Sequence, residues 1–265
     1  MDSNRIWYRG IPFNNCNYDE SISILTNYIE SVSPHQHVVV NLAKLVSAEK
    51  SEQLKNDILN ANFIGTDGGA IRVASSLSGV SLPNHRTGCD LFLDLLKVCE
   101  KNGFGVYFFG ASPNNIEKFV SEVKLLYPNL IISGFQHGHI KRTHDNKNFD
   151  SEAMVVVANS IKLSGAKFLA VGISSPFKEN FIASHLDSLG VGLVMGVGGS
   201  FDVVAKVTTR APEWMQKTAL EWAYRLYQEP SRMFNRYFST AVGGLYIIFS
   251  ENCRRVKKLF GGRRK

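Results

Sequence analysis

The chain has 265 residues, 44% of them hydrophobic, enough for one large domain or for a domain with an appendage. Its net charge of +7 is uneven: residues 210–265 hold 12 Lys and Arg against 4 Glu, a net +8, which leaves −1 for the first 209 residues. Cys16, Cys89, Cys99 and Cys253 are too scattered for a disulfide framework or a thiolate metal site, which fits a reducing cytosol, and neither a secretory signal nor an apolar run of the roughly 18 residues needed to span a membrane is expected.

In chain order, residues 5–13 predict a short hairpin broken at Gly10 and Pro12. Ile22, Leu25, Tyr28 and Ile29 recur at helical spacing within residues 18–32. Residues 37–41 predict a strand ending in Asn41, and residues 42–60 one helix. Polar residues at the carboxyl ends of parallel strands face the ligand crevice, so Asn41 is either a ligand contact or the cap of the next helix.

A second strand, near residues 61–65, runs into Thr66-Asp67-Gly68-Gly69 and then a helix-like run to Leu77. Asp67 can cap that helix. Equally, a carboxylate beside two glycines can stand over a ligand pocket as a base, because glycine lets a ligand approach the backbone.

After the polar loop 81–90, a helix is expected to start at Thr87 or Asp90. Residues 105–109 form an unbroken apolar strand, a sign of burial on both faces. They lead into Gly110-Ala111-Ser112-Pro113, where Ser112 suits an N-cap and Pro113 the first helical position. A strand that ends in Gly and opens a helix suits a phosphate. Residues 130–135 are read as a strand. His137, His139 and His144 follow, taken as a solvated loop in preference to a metal site. A helix over 151–163, a strand over 167–173, a helix from Asn180 and a strand over 192–197 complete the pattern, with Gly198-Gly199-Ser200-Phe201-Asp202 after the last strand. Strand and helix alternate throughout, which predicts an α/β fold: a Rossmann-like, mostly parallel sheet with helices on both faces.

The last sixty residues change character. Arg210 is expected to open an aromatic-rich helix. Arg225, Arg232 and Arg236 would share about 40° of one continuous helix, although Pro230 is expected to break it. The apolar run 241–250 is flanked by Arg254, Arg255, Lys257 and Lys258. It reads as an interfacial membrane anchor, with a helix packed on its own domain or on a second subunit as the alternative. A basic block of this kind suits nucleic acid, anionic lipid or a diphosphate; its aromatic and apolar content favours lipid over nucleic acid.

Taken together the motifs resemble the WecG/TagA/CpsF glycosyltransferases, over about residues 10–237. The most specific stretch is Gly196-Val197-Gly198-Gly199-Ser200-Phe201-Asp202. It is followed by Arg210-Ala211-Pro212, Trp214-Met215-Gln216, Leu220-Glu221-Trp222, Tyr224-Arg225-Leu226, Glu229-Pro230, Arg232 and Arg236-Tyr237. Asp67-Gly68, Leu82-Pro83, Arg86-x-Gly88-x-Asp90-Leu91 and Gly110-x-x-Pro113 match in order.

The resemblance implies an inverting transferase that needs no metal or other cofactor. It would move a sugar from a UDP-sugar to a polyprenyl-diphosphate-linked acceptor on the cytoplasmic membrane face, for a cell-surface or extracellular polysaccharide. It implies Asp67 as general base, and Arg210, Arg225, Arg232 and Arg236 as diphosphate contacts in a membrane-associating appendage, residues 207–265, attached to a core of residues 1–206. Asn41, Arg86, Thr87, Asp90, Gly110, Lys178, Glu179, Gly198, Gly199 and Asp202 are the other substrate-site candidates, and a homo-oligomer is compatible with the pattern. Lys178 stands where the family usually has Gln, and Val39 where many members have Thr. Two other readings compete: a nicotinamide-dependent oxidoreductase, for which G-x-G-x-x-G is missing, and a non-enzymatic membrane-bound module.

Overall fold

A computed structural model describes the chain except residues 1–3, 84, 86, 144–148, 176, 213, 216, 217, 219 and 262–265, and the side chains of 232, 236 and 256–261. Strands β1 (Arg5–Tyr8) and β2 (Ile11–Asn14) form the expected antiparallel hairpin. The six others are β3 (His35–Val40), β4 (Phe63–Thr66), β5 (Val106–Gly110), β6 (Ile132–Gln136), β7 (Phe168–Gly172) and β8 (Leu193–Gly196). They form one parallel sheet in the order β4-β3-β8-β7-β5-β6. All six carboxyl ends therefore lie along one edge, the edge where open α/β sheets bind ligands.

The helices are α1 (Tyr18–Glu30), α2 (Leu42–Ala48), α3 (Glu52–Leu59), α4 (Gly69–Leu77), α5 (Gly88–Asn102), α6 (Pro113–Leu126), α7 (Ser151–Leu163), α8 (Phe177–His185), α9 (Ser200–Val204), α10 (Glu221–Gln228) and α11 (Pro230–Gly261). Alternation along each strand sorts the core into two faces. Phe108 and Phe168 pack with Leu25 of α1, Phe92 of α5, Phe119 of α6 and Phe201 of α9. Tyr107, Phe109, Leu169 and Val171 face α7 and α8 through Val157, Ile161 and Phe181. Fully burying each large apolar side chain is worth roughly 1.5–3 kcal/mol, so these layers carry most of the fold. A third cluster joins the hairpin, β3, β4, α2 and α4 to Ile247 of α11.

The local signals explain most boundaries. The side chains of Thr87 and Ser112 cap α5 and α6, and Pro113 opens α6. The helix expected over 42–60 is instead two helices. Ser51 accepts from the Leu54 amide and starts α3, because a hydroxyl at that position offers the backbone an N-cap. The helix after β7 begins at Phe177, not Asn180. Pro230 separates α10 from α11, as its missing amide and fixed φ dictate. Arg225 thus lies on a different helix from Arg232 and Arg236, and no continuous helix face unites the three. The apolar run 241–250 is no short helix; it lies within the 32 residues of α11.

Helix α11 lies on α2 and α4. Gly243 and Gly244 face Val46 and Leu42, and a Cβ at Gly243 would come within 2.4 Å of Val46. Arg9, at φ +53° in the hairpin turn, donates to Glu49 Oε2 at 2.5 Å and to Glu251 Oε2 on α11 at 2.9 Å. Asn252 and Arg255 donate to the Leu77 and Ser78 carbonyls at the end of α4. The opposite face of α11 is open: Phe234, Phe238, Val242, Leu245 and Phe249 are each more than half exposed. Among the described residues, no helix is long and apolar enough to cross a membrane.

Candidate active site

Asp67 sits one residue beyond β4, an edge strand, and its position is fixed from three sides. Its amide donates to the Val40 carbonyl at 3.0 Å, which extends the ladder to β3. The preceding Thr66 amide, on the open side of the strand, donates to His85 Nδ1 at 3.2 Å, while the Thr66 hydroxyl donates to the Pro83 carbonyl. Asp67 Oδ1 then accepts from the Gly88 amide at the start of α5, 3.1 Å away. Among the described residues Oδ2 has no partner, and the side chain is half-buried. Gly68 takes φ +80° and opens α4 without a side-chain cap. Asp67 is therefore not the N-cap of α4; it is turned toward α5.

Beside it, the first turn of α5 is a compact polar cluster. Thr87 Oγ1 donates to Asp90 Oδ2 at 2.9 Å. Arg210 reaches back across 120 residues to grip Asp90 with both terminal nitrogens, at 2.6 and 2.9 Å, and donates to Thr87 Oγ1 at 3.0 Å. The hydrogen-bonded Asp90 carboxylate raises the Arg210 pKa further, so the guanidinium stays charged. A forked ion pair of this kind fixes orientation as well as charge.

On the other side of Asp67 lies a charged cluster of a different kind. Asn41 accepts from the Lys44 amide and caps α2. The Lys44 side chain is 13% exposed, and its ammonium lies 3.5 Å from Glu179 Oε1. Lys178 Nζ lies 3.3 Å from the same oxygen, and the Ser175 hydroxyl donates to it at 2.9 Å. Glu179 is 2% exposed, and among the described residues its buried Oε2 has no partner. Burial pushes the Lys44 pKa down to about 8, helped by the Lys178 charge and opposed by Glu179 and Asp67. Burial pushes the Glu179 carboxyl upward, but Lys178, Lys44 and Ser175 together hold it below its ordinary value.

The strand ends supply space. Gly110, at φ +146°, passes so close to Gly172 that a Cβ would sit 2.4 Å from its backbone. Gly198, at φ +56°, and Gly199 face open volume, where a ligand backbone approach is unobstructed. Asp202 is held elsewhere: its carboxylate accepts from Asn115 at 2.8 Å, tying α9 to the start of α6. Arg225 pairs with Glu221 on its own helix at 3.2 Å. Arg86 and the side chains of Arg232 and Arg236 lie outside the described residues, as does His144. His137 and His139 stand at the end of β6 with ring centroids 6.4 Å apart.

Sequence reasoning passed over Lys44, Ser175 and His85. Lys44 carried one signal: a cation in the first helical turn opposes the helix dipole and needs a reason to be there. His85 is buried, which pushes its pKa down to about 4, so it is neutral and its Nδ1 can accept from Thr66. His37, fully buried beside it, is pushed down to about 3.

A parallel sheet with a carboxylate, a paired arginine, two buried lysines and open glycines along its carboxyl edge defines a doubly wound α/β protein, with this edge as its candidate ligand site. Residues 6–258 match the model of the glycosyl transferase WecG/TagA/CpsF family, and the chain belongs to that family. It is a glycosyltransferase. It is 30% identical, over 246 residues, to the N-acetylglucosaminyldiphosphoundecaprenol N-acetyl-beta-D-mannosaminyltransferase of Bacillus subtilis (strain 168), covering 92% of this chain and 91% of that one. The enzyme of the same name from Bacillus spizizenii (strain ATCC 23059 / NRRL B-14472 / W23) is 27% identical over 227 residues, 83% of this chain and 84% of that one.

Proposed function

We propose that this glycosyltransferase moves a sugar, with inversion, from a UDP-sugar to a polyprenyl-diphosphate-linked glycan, in cell-surface or extracellular polysaccharide synthesis. The observation that carries the reading is Asp67: one oxygen is tied to the Gly88 amide, and the other has no partner among the described residues. A general base needs this arrangement, fixed in direction yet open to a proton. The acceptor hydroxyl attacks the anomeric carbon and its proton passes to Asp67 Oδ2. The bond from that carbon to the UDP oxygen breaks with its electron pair, and the diphosphate leaves with the added charge. Arg210 and the first-turn amides of α5 and α6 that their caps leave unused are the charge-stabilising groups, a role that requires no metal.

The names of both relatives specify a diphosphoundecaprenol acceptor, which supports a lipid-linked substrate here. The core, residues 1–206, would hold the base and the donor, and Arg210 would reach into it from the segment that follows. The segment 207–265 would attach to the inner face of the membrane through the open apolar face of α11 and its basic end, each cation adding about 1 kcal/mol near an anionic leaflet. Asp67→Asn tests the base. Transfer should fall by about 10²–10⁴-fold, while UDP affinity and the melting temperature stay put. Transfer at the native rate would remove Asp67 from the role.

A further inference from the structure

The Lys44–Lys178–Glu179 cluster puts three charged groups where water is largely excluded. Two ammonium groups bring six N–H donors to one carboxylate oxygen, Glu179 Oε1, which already accepts from Ser175. Both side chains are largely buried, and the two like charges oppose each other. Lys44 also stands at the positive end of α2, where a cation is disfavoured. The stem of Lys178 is held over Gly196, where any Cβ would come within 2.7 Å of it, so the backbone of β8 is kept bare to seat this lysine. Meanwhile Glu179 Oε2 is buried and, among the described residues, has no hydrogen-bond partner.

We infer that Lys44 and Lys178 form an oxyanion subsite for the donor beside Asp67, with Glu179 Oε2 accepting a hydroxyl of the same ligand. The inference rests on the reading of the crevice as a UDP-sugar site. Charge supports it. At rest, Asp67 and Glu179 balance the two lysines. When Asp67 takes the acceptor proton, one negative charge disappears from the site, and the lysines and the helix end are left with an excess of about one positive charge or more. That excess arises in the step in which the leaving group gains a negative charge. An oxyanion of the donor can be its diphosphate or a carboxylate on the transferred sugar, and the lysines suit either.

Calorimetric titration separates these sources. Wild type, Lys178→Gln and Lys44→Met would each be titrated with UDP, UMP, a UDP-hexose and the matching UDP-hexuronate. If the lysines hold the diphosphate, both substitutions weaken UDP at least tenfold and UMP less than threefold. If they hold a sugar carboxylate, UDP is unchanged, and a preference of at least tenfold for the hexuronate vanishes in both variants. Either result supports the subsite and names its ligand. UDP affinity and the hexuronate-to-hexose ratio both within threefold of wild type in both variants would overturn it. Wild-type protein that bound no UDP would instead overturn the parent reading of the crevice. Because a buried substitution can unfold the chain, labelling of intact wild-type protein with acetic anhydride gives a second readout. Saturating UDP-sugar should shield Lys44 and Lys178 but not the exposed Lys97; equal labelling with and without ligand counts against the subsite.

Discussion

The two faces of α11 are made from opposite materials. Toward the core it presents Gly243, Gly244, Ile247 and Glu251, and toward solvent Phe234, Phe238, Val242, Leu245 and Phe249. The open residues fall within about 80° of one another around the helix axis. Glycine on the inner face lets the helix backbone approach Val46 and Leu42 closely; aromatic rings on the outer face leave apolar area uncovered. One helix is thus part of the folded core on one side and an unpartnered apolar surface on the other. A contiguous exposed patch of this kind is the surface through which the proposed attachment to an anionic membrane would act. Of the two alternatives in the sequence, the packed helix is what the inner side of this element shows, and the open outer side is the one that the proposed membrane attachment would use.

Three variants probe this division. The largest effect is expected on the inner face. Gly243→Leu puts a side chain into Val46 and should destabilise the protein by roughly 2–3 kcal/mol, read as a lower urea midpoint with unchanged slope. Little change would mean that α11 does not pack where the glycine contact puts it. Next, Arg9→Ala removes the cation between Glu49 and Glu251. Both glutamates keep some exposure, at 27% and 23%, so water screens the loss and about 1–2 kcal/mol is expected, below the cost of breaking a fully buried pair. The smallest effect on stability belongs to the outer face. Phe238→Ser with Phe249→Ser should change stability by less than about 0.5 kcal/mol yet lower binding to anionic vesicles at least tenfold in sedimentation. Unchanged vesicle binding would sink the membrane assignment, and a large loss of stability would show that the face is covered within the fold.

Much of the architecture was legible because its signals are local. Short apolar runs between helical patterns marked every strand of the sheet, and Thr87, Ser112 and Pro113 each marked a helix start by their own chemistry. The break between α2 and α3 was hidden because Ser51 lies inside an otherwise helical pattern, and a serine there reads equally well as a helical surface residue. Asp67 could be picked out as a residue with two local uses; that it does not cap α4 follows from Gly88, 21 residues further on, and its use as a base is the proposal. The grip of Arg210 on Asp90, across 120 positions, and the meeting of Lys44 with Glu179 depend on strand order, which no local pattern encodes. Lys178 was visible as a departure from the family pattern, but the shared oxygen that gives it a partner was not.

The strained turn at Arg9 sets a schedule. A non-glycine residue held at positive φ is uncommon, and here its side chain is 3% exposed and joined to a glutamate 242 positions later. A ribosome adds about 5–20 residues per second, so the hairpin waits roughly 10–50 seconds for the residue that completes its charge pairing. During that interval Leu42, Val46 and the end of α4 lack their cover as well. The nascent chain therefore carries a sticky, unfinished flank until its last helix arrives, and that flank is where premature association, or a chaperone, would meet it.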